Sequence, residues 1–112
     1  MIFFETKIDK DIRERIITAI EDAIEVPREL WEYKRSKRSQ EVMIRHIYIY
    51  FLSKYTKNNI ENIAKIVGLK NHCTIIQTLR NVNTWLENPE YEYEKQLIEM
   101  VQKEYTYETI AH

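Results

Sequence analysis

Residues 58–86, NNIENIAKIVGLKNHCTIIQTLRNVNTWL, decide the reading of this chain, because two short helical patterns meet there across Gly68, the only glycine in the sequence. Ile60, Ile63, Ala64 and Val67 recur at i, i+3, i+4 and i+7, which is one buried helical face. Asn58 is placed to cap that helix, with Glu61 three residues on completing a box-like pattern. Gly68 follows Val67 where a helix ends most cheaply, in a left-handed conformation that costs glycine nothing. Leu69 and Lys70 then turn, Asn71 offers a second cap, and Ile75, Ile76, Leu79, Val82 and Leu86 carry a second amphipathic helix. Two helices joined by a short glycine-containing turn predict a helix-turn-helix, whose second helix commonly enters the DNA major groove. The same geometry also suits an ordinary helical corner in an all-α bundle.

The residues around the turn add chemistry to the geometry. Arg45-His46, Leu52, Tyr55-Thr56, Ile63 and the run Gly68-Leu69-Lys70-Asn71-His72-Cys73-Thr74-Ile75-Ile76 resemble the C-terminal DNA-binding domain of the bacterial replication initiator DnaA. That family's signature reads glycine, glycine, arginine, aspartate, histidine, threonine, threonine, then apolar residues. This chain keeps the first glycine, the histidine, the second threonine and the apolar pair. Leu69, Lys70, Asn71 and Cys73 stand at the other four positions. The resemblance spans about residues 16–105. It implies an all-α, compact bundle of about six helices containing a helix-turn-helix, of Trp-repressor-like architecture, with double-stranded DNA as partner.

Site residues follow from the resemblance. Asn71, His72, Cys73, Thr74 and Gln77 would face base edges from the start of the second helix. Lys34, Arg35, Lys37, Arg38, Arg45 and Lys70 would hold phosphates or enter the minor groove, with Lys37 or Arg38 nearest the family's minor-groove arginine and Arg45 reaching for the backbone. Asparagine in place of aspartate at position 71 exchanges a carboxylate that accepts from cytosine N4 for an amide better suited to adenine N6 and N7. The preferred site is therefore expected to differ from that of DnaA.

Charge distribution fits this reading. Net charge is −1, but residues 33–82 carry ten basic against two acidic residues, net +8, between flanks of −4 and −5. A basic middle between acidic ends is what a chain with one phosphate-facing surface would carry, although lysine and arginine also serve as plain solvated helix formers. The loop from Tyr33 to Gln40 concentrates four cations and two serine hydroxyls, all able to reach phosphate oxygens.

Other classes are excluded or weakened. A P-loop and a dinucleotide fingerprint each need closely spaced glycines, so a chain with one glycine has neither, and no ATPase or cofactor is expected. Cys73 is the only cysteine and forms no intramolecular disulfide. The longest apolar run, Ile47 to Leu52, is too short to cross a membrane, and no signal-peptide pattern opens the chain, so a cytoplasmic protein in a nucleoid, phage or plasmid context is expected. His72 and Cys73 are helix neighbours about 100° apart and cannot share a hydrogen bond, so they make no catalytic pair. His46, His72, His112 and Cys73 lack metal-ligand spacing. Eight tyrosines and two tryptophans would serve packing more than base stacking, since most fall at core spacing.

Along the rest of the chain, a helix is expected from Asp9, as its cap, to Glu25, and a short one from Pro27 carrying Leu30 and Trp31. A buried central helix over Val42–Tyr55 and a last helix after Asn88-Pro89 complete the pattern. Tyr93, Leu97, Ile98, Val101 and Tyr105 form the stripe of that last helix, and residues 106–112 are expected to fray. Residues 1–112 are expected to form one domain. The alternative function is a protein-interaction adaptor that kept the fold and lost DNA reading, using Ile2 to Phe4 or the last helix as its surface.

Overall fold

A computed structural model describes residues 5–33 and 39–111. Among them the chain forms five α-helices, α1 (Lys7–Ile24), α2 (Ser39–Tyr55), α3 (Ile60–Ile66), α4 (Cys73–Glu87) and α5 (Glu92–Ala111), with two single 3-10 turns and no strand. The count is five rather than six because the short helix expected after Pro27 closes only one turn, Arg28–Leu30, before Trp31 leaves helical geometry at φ −132°. No helix among the described residues is long and apolar enough to cross a membrane.

α2 is the centre. Ile44, Ile47, Tyr48, Phe51 and Leu52 are fully buried and Ile49 nearly so. A helix this apolar around its circumference must be covered on several sides. α1, α3 and α4 all pack against it, while α5 runs along α1 and touches α4. Ile16, Ile17 and Ile20 from α1, Ile63 and Val67 from the α3 region, Ile75 and Val82 from α4, and Ile98 and Val101 from α5 join one core. Burial of each such side chain contributes roughly 1.5–3 kcal/mol. Trp31 is also in the core, its ring edge-on to Tyr48 at 5.3 Å and its indole N–H donating to Val26 O at 2.9 Å. The aromatics at core spacing thus pack, as expected, but Tyr93 does not: it is 59% exposed.

Helix ends differ from the sequence reading in four places, the first being α2, which starts at Ser39, within the stretch expected to be loop, rather than at Val42. The cap of α1 is Thr6, whose Oγ1 accepts from Asp9 N at 3.1 Å, so Asp9 lies inside the first turn and is buried, accepting from Lys57 N instead. The cap of α3 is Asn59, not Asn58. Asn59 Oδ1 accepts from Asn62 N at 2.8 Å, whereas Asn58 is buried and its Nδ2 donates to Glu5 Oε2 (2.8 Å) and Thr56 Oγ1 (3.2 Å). Finally, α5 does not fray at residue 106 but continues to Ala111. Glu5 is itself gripped by Arg13, so the N-terminal end of α1 is tied through Asn58 and Asp9 to the link between α2 and α3.

α1 ends at Glu25 in a left-handed conformation (φ 61°), and α4 ends at Asn88 before Pro89, as the sequence suggests. Arg28 then joins the 3-10 turn to α1, donating to Glu14 and Glu32.

Two outcomes test this description. Asn59→Asp should leave stability nearly unchanged, because aspartate caps as well as asparagine. Asn58→Asp should cost about 1–3 kcal/mol by facing Glu5 with a second carboxylate, the loss growing as pH rises through the carboxylate range. Urea titrations of both variants check the pair. His46 of α2 stacks on Trp85 of α4 with centroids 5.9 Å apart, and its Nδ1 is buried with no hydrogen-bond partner. Burial, and then the Arg45 charge, hold its pKa below the usual 6.5. The folded state therefore resists a proton that the unfolded chain accepts, so stability should fall as pH drops through 6.5. His46→Phe, which keeps the stack and removes the titration, should flatten the urea midpoint across that window.

Candidate nucleic-acid interface

The turn between α3 and α4 is built by Gly68. Its φ is +75°, and the helix end it makes is a Schellman motif: Leu69 N donates to Ala64 O at 2.8 Å and Gly68 N to Lys65 O at 3.3 Å. The connection runs from Val67 to His72, longer than the few residues expected, because the first residues after Gly68 are spent on a second structured turn. Asn71 Oδ1 accepts from Cys73 N at 2.8 Å, and Thr74 N donates to Asn71 O at 3.2 Å. Asn71 therefore caps α4 with its side chain although the residue at the helix boundary is His72, whose side chain makes no capping bond.

α4 is strongly two-sided. Ile75, Thr78 and Val82 are buried against the bundle, while Cys73, Thr74, Gln77 and Arg80 are exposed on the opposite side. Asn71 and His72, just before the helix, are exposed too. The structure thus brings all five sequence-predicted base-facing residues to one end and one face of α4, and Lys70 is exposed beside them. A cleft of about 290 Å³ opens at this corner, lined by Glu61, Ala64, Lys65, Leu69, Lys70 and His72. Sequence reasoning missed two residues of the same face. Arg80 and Asn81 lie one turn beyond Gln77, and Gln77 Nε2 donates to Asn81 Oδ1 at 3.1 Å. The i+3 and i+4 spacing from Gln77 was the available signal.

Arg45 has a different placement from the one expected. It is 5% exposed, and its guanidinium turns back into the protein, with Nε donating to Trp31 O at 3.1 Å and Nη2 to Tyr33 O at 3.3 Å. Burial lowers its pKa from the usual value, opposed by the nearby Glu41 carboxylate. Lys34, Arg35, Lys37 and Arg38 of the basic loop, and Ile2 to Phe4, lie outside the described residues. Tyr33 at the near end of that loop packs its ring onto Gly68: a methyl group placed on the glycine would overlap Cζ, Cε1 and Cε2 of the ring. Nothing in the sequence pattern pairs residues 33 and 68, since no periodicity connects a loop to a turn.

Among the described residues no three or more His, Cys, Asp or Glu side chains come together as a metal site. What the surface offers is an exposed helix start bearing amide, imidazole, thiol and hydroxyl groups next to lysines, on a hydrogen-bonded two-helix corner.

Fold and surface together define a helix-turn-helix domain. A family model described as the bacterial DnaA protein helix-turn-helix matches residues 13–82. The chain belongs to that family. No curated protein matches the chain, and no solved structure does.

The Arg45 geometry carries its own test. Arg45→Ala should cost about 1.5–3 kcal/mol, because two carbonyls lose a charged donor, and Arg45→Lys should recover only part, since one ammonium cannot span both. A solvent-facing phosphate contact would instead lose under about 0.5 kcal/mol on truncation. Urea denaturation of the two variants separates these outcomes.

Proposed function

We propose that this chain is a sequence-selective double-stranded DNA-binding domain of Trp-repressor-like arrangement, serving replication or transcription without an ATPase or other catalytic step. The observation that carries the reading is the exposed start of α4 on a glycine-built corner, within the segment that the DnaA helix-turn-helix family covers. In this reading Asn71, His72, Cys73, Thr74 and Gln77 meet base edges in the major groove, with Arg80 and Asn81 extending the same face. Lys70 and the basic loop, Lys34, Arg35, Lys37 and Arg38, hold phosphates or enter the minor groove. Arg45 contributes by holding the chain at the root of that loop. Residues 1–112 act as one domain, and a nucleoid, phage or plasmid setting suits such a role.

A second reading, a protein-interaction adaptor, is favoured by one feature. Tyr93, Met100 and Tyr107 are exposed at seven-residue spacing along α5, beyond the residues that the family covers. A stable protein partner retained on α5 by a chain that enriches no duplex would support this alternative.

Selection from a random duplex library is the deciding experiment. It should return an enriched site, with log affinity falling against log salt at a slope of about −4.5 for the five remaining phosphate contacts. Absence of both enrichment and salt dependence would sink the DNA reading. The same selection on Asn71→Asp tests base reading: the cap survives, so the melting temperature should hold, while preference at one base position shifts by about 1–3 kcal/mol. A site unchanged by that substitution would remove Asn71 from the base-reading set.

A further inference from the structure

α5 lies beyond the segment that the family covers, and it is two-sided. Ile98, Val101 and Tyr105 are buried against the bundle, and Leu97 packs partly on the same core. A helix docked by one face carries polar residues on the other when that other face meets only water. The outer face of α5 does not follow this rule. Among the described residues seven large hydrophobic side chains are exposed, and four of them stand on this one helix: Tyr93, Met100, Tyr107 and Ile110. The first three are seven residues apart, and Ile110 stands three beyond Tyr107. That spacing puts them at the a and d positions of a heptad, with Gln96 and Lys103, both exposed, at the other two d positions. Such a stripe drifts by only about 20° per heptad, so it remains one line along a helix of 20 residues.

Charge decides what fits that line. Glu99 is exposed immediately before Met100, and Lys103 is exposed three residues after it. When a second copy is laid antiparallel in the a-to-d layering of a coiled coil, Tyr93 meets Ile110, Gln96 meets Tyr107 and Met100 meets Lys103. Each pair occurs twice by the two-fold symmetry. In the central layers the stem of Lys103 can lie over Met100 of the other copy while its ammonium reaches Glu99 beside it. Flanking the seam, Glu99 falls beside Thr106 and Glu104 beside Leu97, so no two carboxylates face each other. A parallel pairing has the opposite character: Lys103 would face Lys103, and Glu99 would face Glu104.

We propose that the outer face of α5 is a self-association surface, on which two copies of this chain pair antiparallel through Tyr93, Met100, Tyr107 and Ile110, with Lys103 of each copy on Glu99 of the other. None of these residues is among those assigned to DNA, so the inference goes beyond the duplex reading and does not depend on it. A seam of one helix is small against the interfaces of permanent dimers, so the association is reversible and follows concentration.

Sedimentation equilibrium of the full chain across the micromolar to millimolar range tests this, with the urea midpoint of every variant as the folding control. The wild type should pass from monomer to dimer within that range. Met100→Glu, which sets a carboxylate in both central layers, should raise the dissociation constant at least about tenfold. Lys103→Glu and Glu99→Lys should each weaken self-association about tenfold, since each creates two like-charge pairs. An equimolar mixture of these two proteins restores both opposite-charge contacts and should dimerise within about threefold of the wild type. All three positions are exposed, so the urea midpoints should hold. A wild type that stays monomeric to millimolar concentration would overturn the proposal and leave the stripe to a different protein. A dimer indifferent to Met100→Glu would place the interface elsewhere, and a mixture that fails to recover would rule out the antiparallel pairing; either result overturns the proposal as well.

Discussion

The constraint on which this structure depends is the composition of α2. With Ile44, Ile47, Tyr48, Ile49, Phe51 and Leu52 all at or near zero exposure, the helix must be enclosed on most of its circumference, and three other helices close around it. α4 commits Ile75 and Val82 to that closure, which fixes which of its faces looks outward. The exposed row Cys73, Thr74, Gln77 and Arg80 is therefore a consequence of how α2 is covered. Arg45 is a buried cation of α2 in this apolar environment, and it is tolerated because its donors find backbone carbonyls. The central helix thus sets both the orientation of α4 and the anchoring of the chain at Tyr33.

What was legible in the sequence was periodic or unique. The 3.6-residue repeats of α1, α3 and α4 placed those helices to within a few residues, and the single glycine located the corner. What was not legible was which of several chemically equivalent groups the tertiary structure would recruit. Asn58 and Asn59 are both competent caps, and the choice of Asn59 follows from Glu5 and Thr56 claiming Asn58; the bond to Glu5 reaches across 53 residues, which no local pattern contains. Asp9 gave up its capping role to Thr6 in the same way, by being drawn to the backbone of Lys57. For the candidate site, the exposed start of α4 was readable from amphipathicity. The inward turn of Arg45 and the seat of Tyr33 on Gly68 were not, since both depend on where a loop returns to the bundle.

The departures from the DnaA signature can be weighed against the geometry of the turn. Leu69 stands where the family has a second glycine. Among the described residues the only non-glycine with positive φ is Glu25, so position 69 demands nothing that only glycine supplies. Leu69 instead donates its N–H to Ala64 O and packs its side chain against the core, which is the hydrophobic contact that accompanies a Schellman end. Asn71 in place of aspartate likewise keeps the capping bond, to Cys73 N at 2.8 Å. Two of the four changes therefore leave the corner intact. Because the backbone of the turn tolerates them, their effect falls on the surface that α4 presents: Asn71 exchanges an acceptor-only group for an amide that both donates and accepts, and Cys73 replaces a hydroxyl with a weaker donor. Under the duplex reading proposed above, a corner preserved in shape and altered in its hydrogen-bonding groups is what a changed base preference would require, since shape would fix the docking and the groups at the helix start would choose among bases.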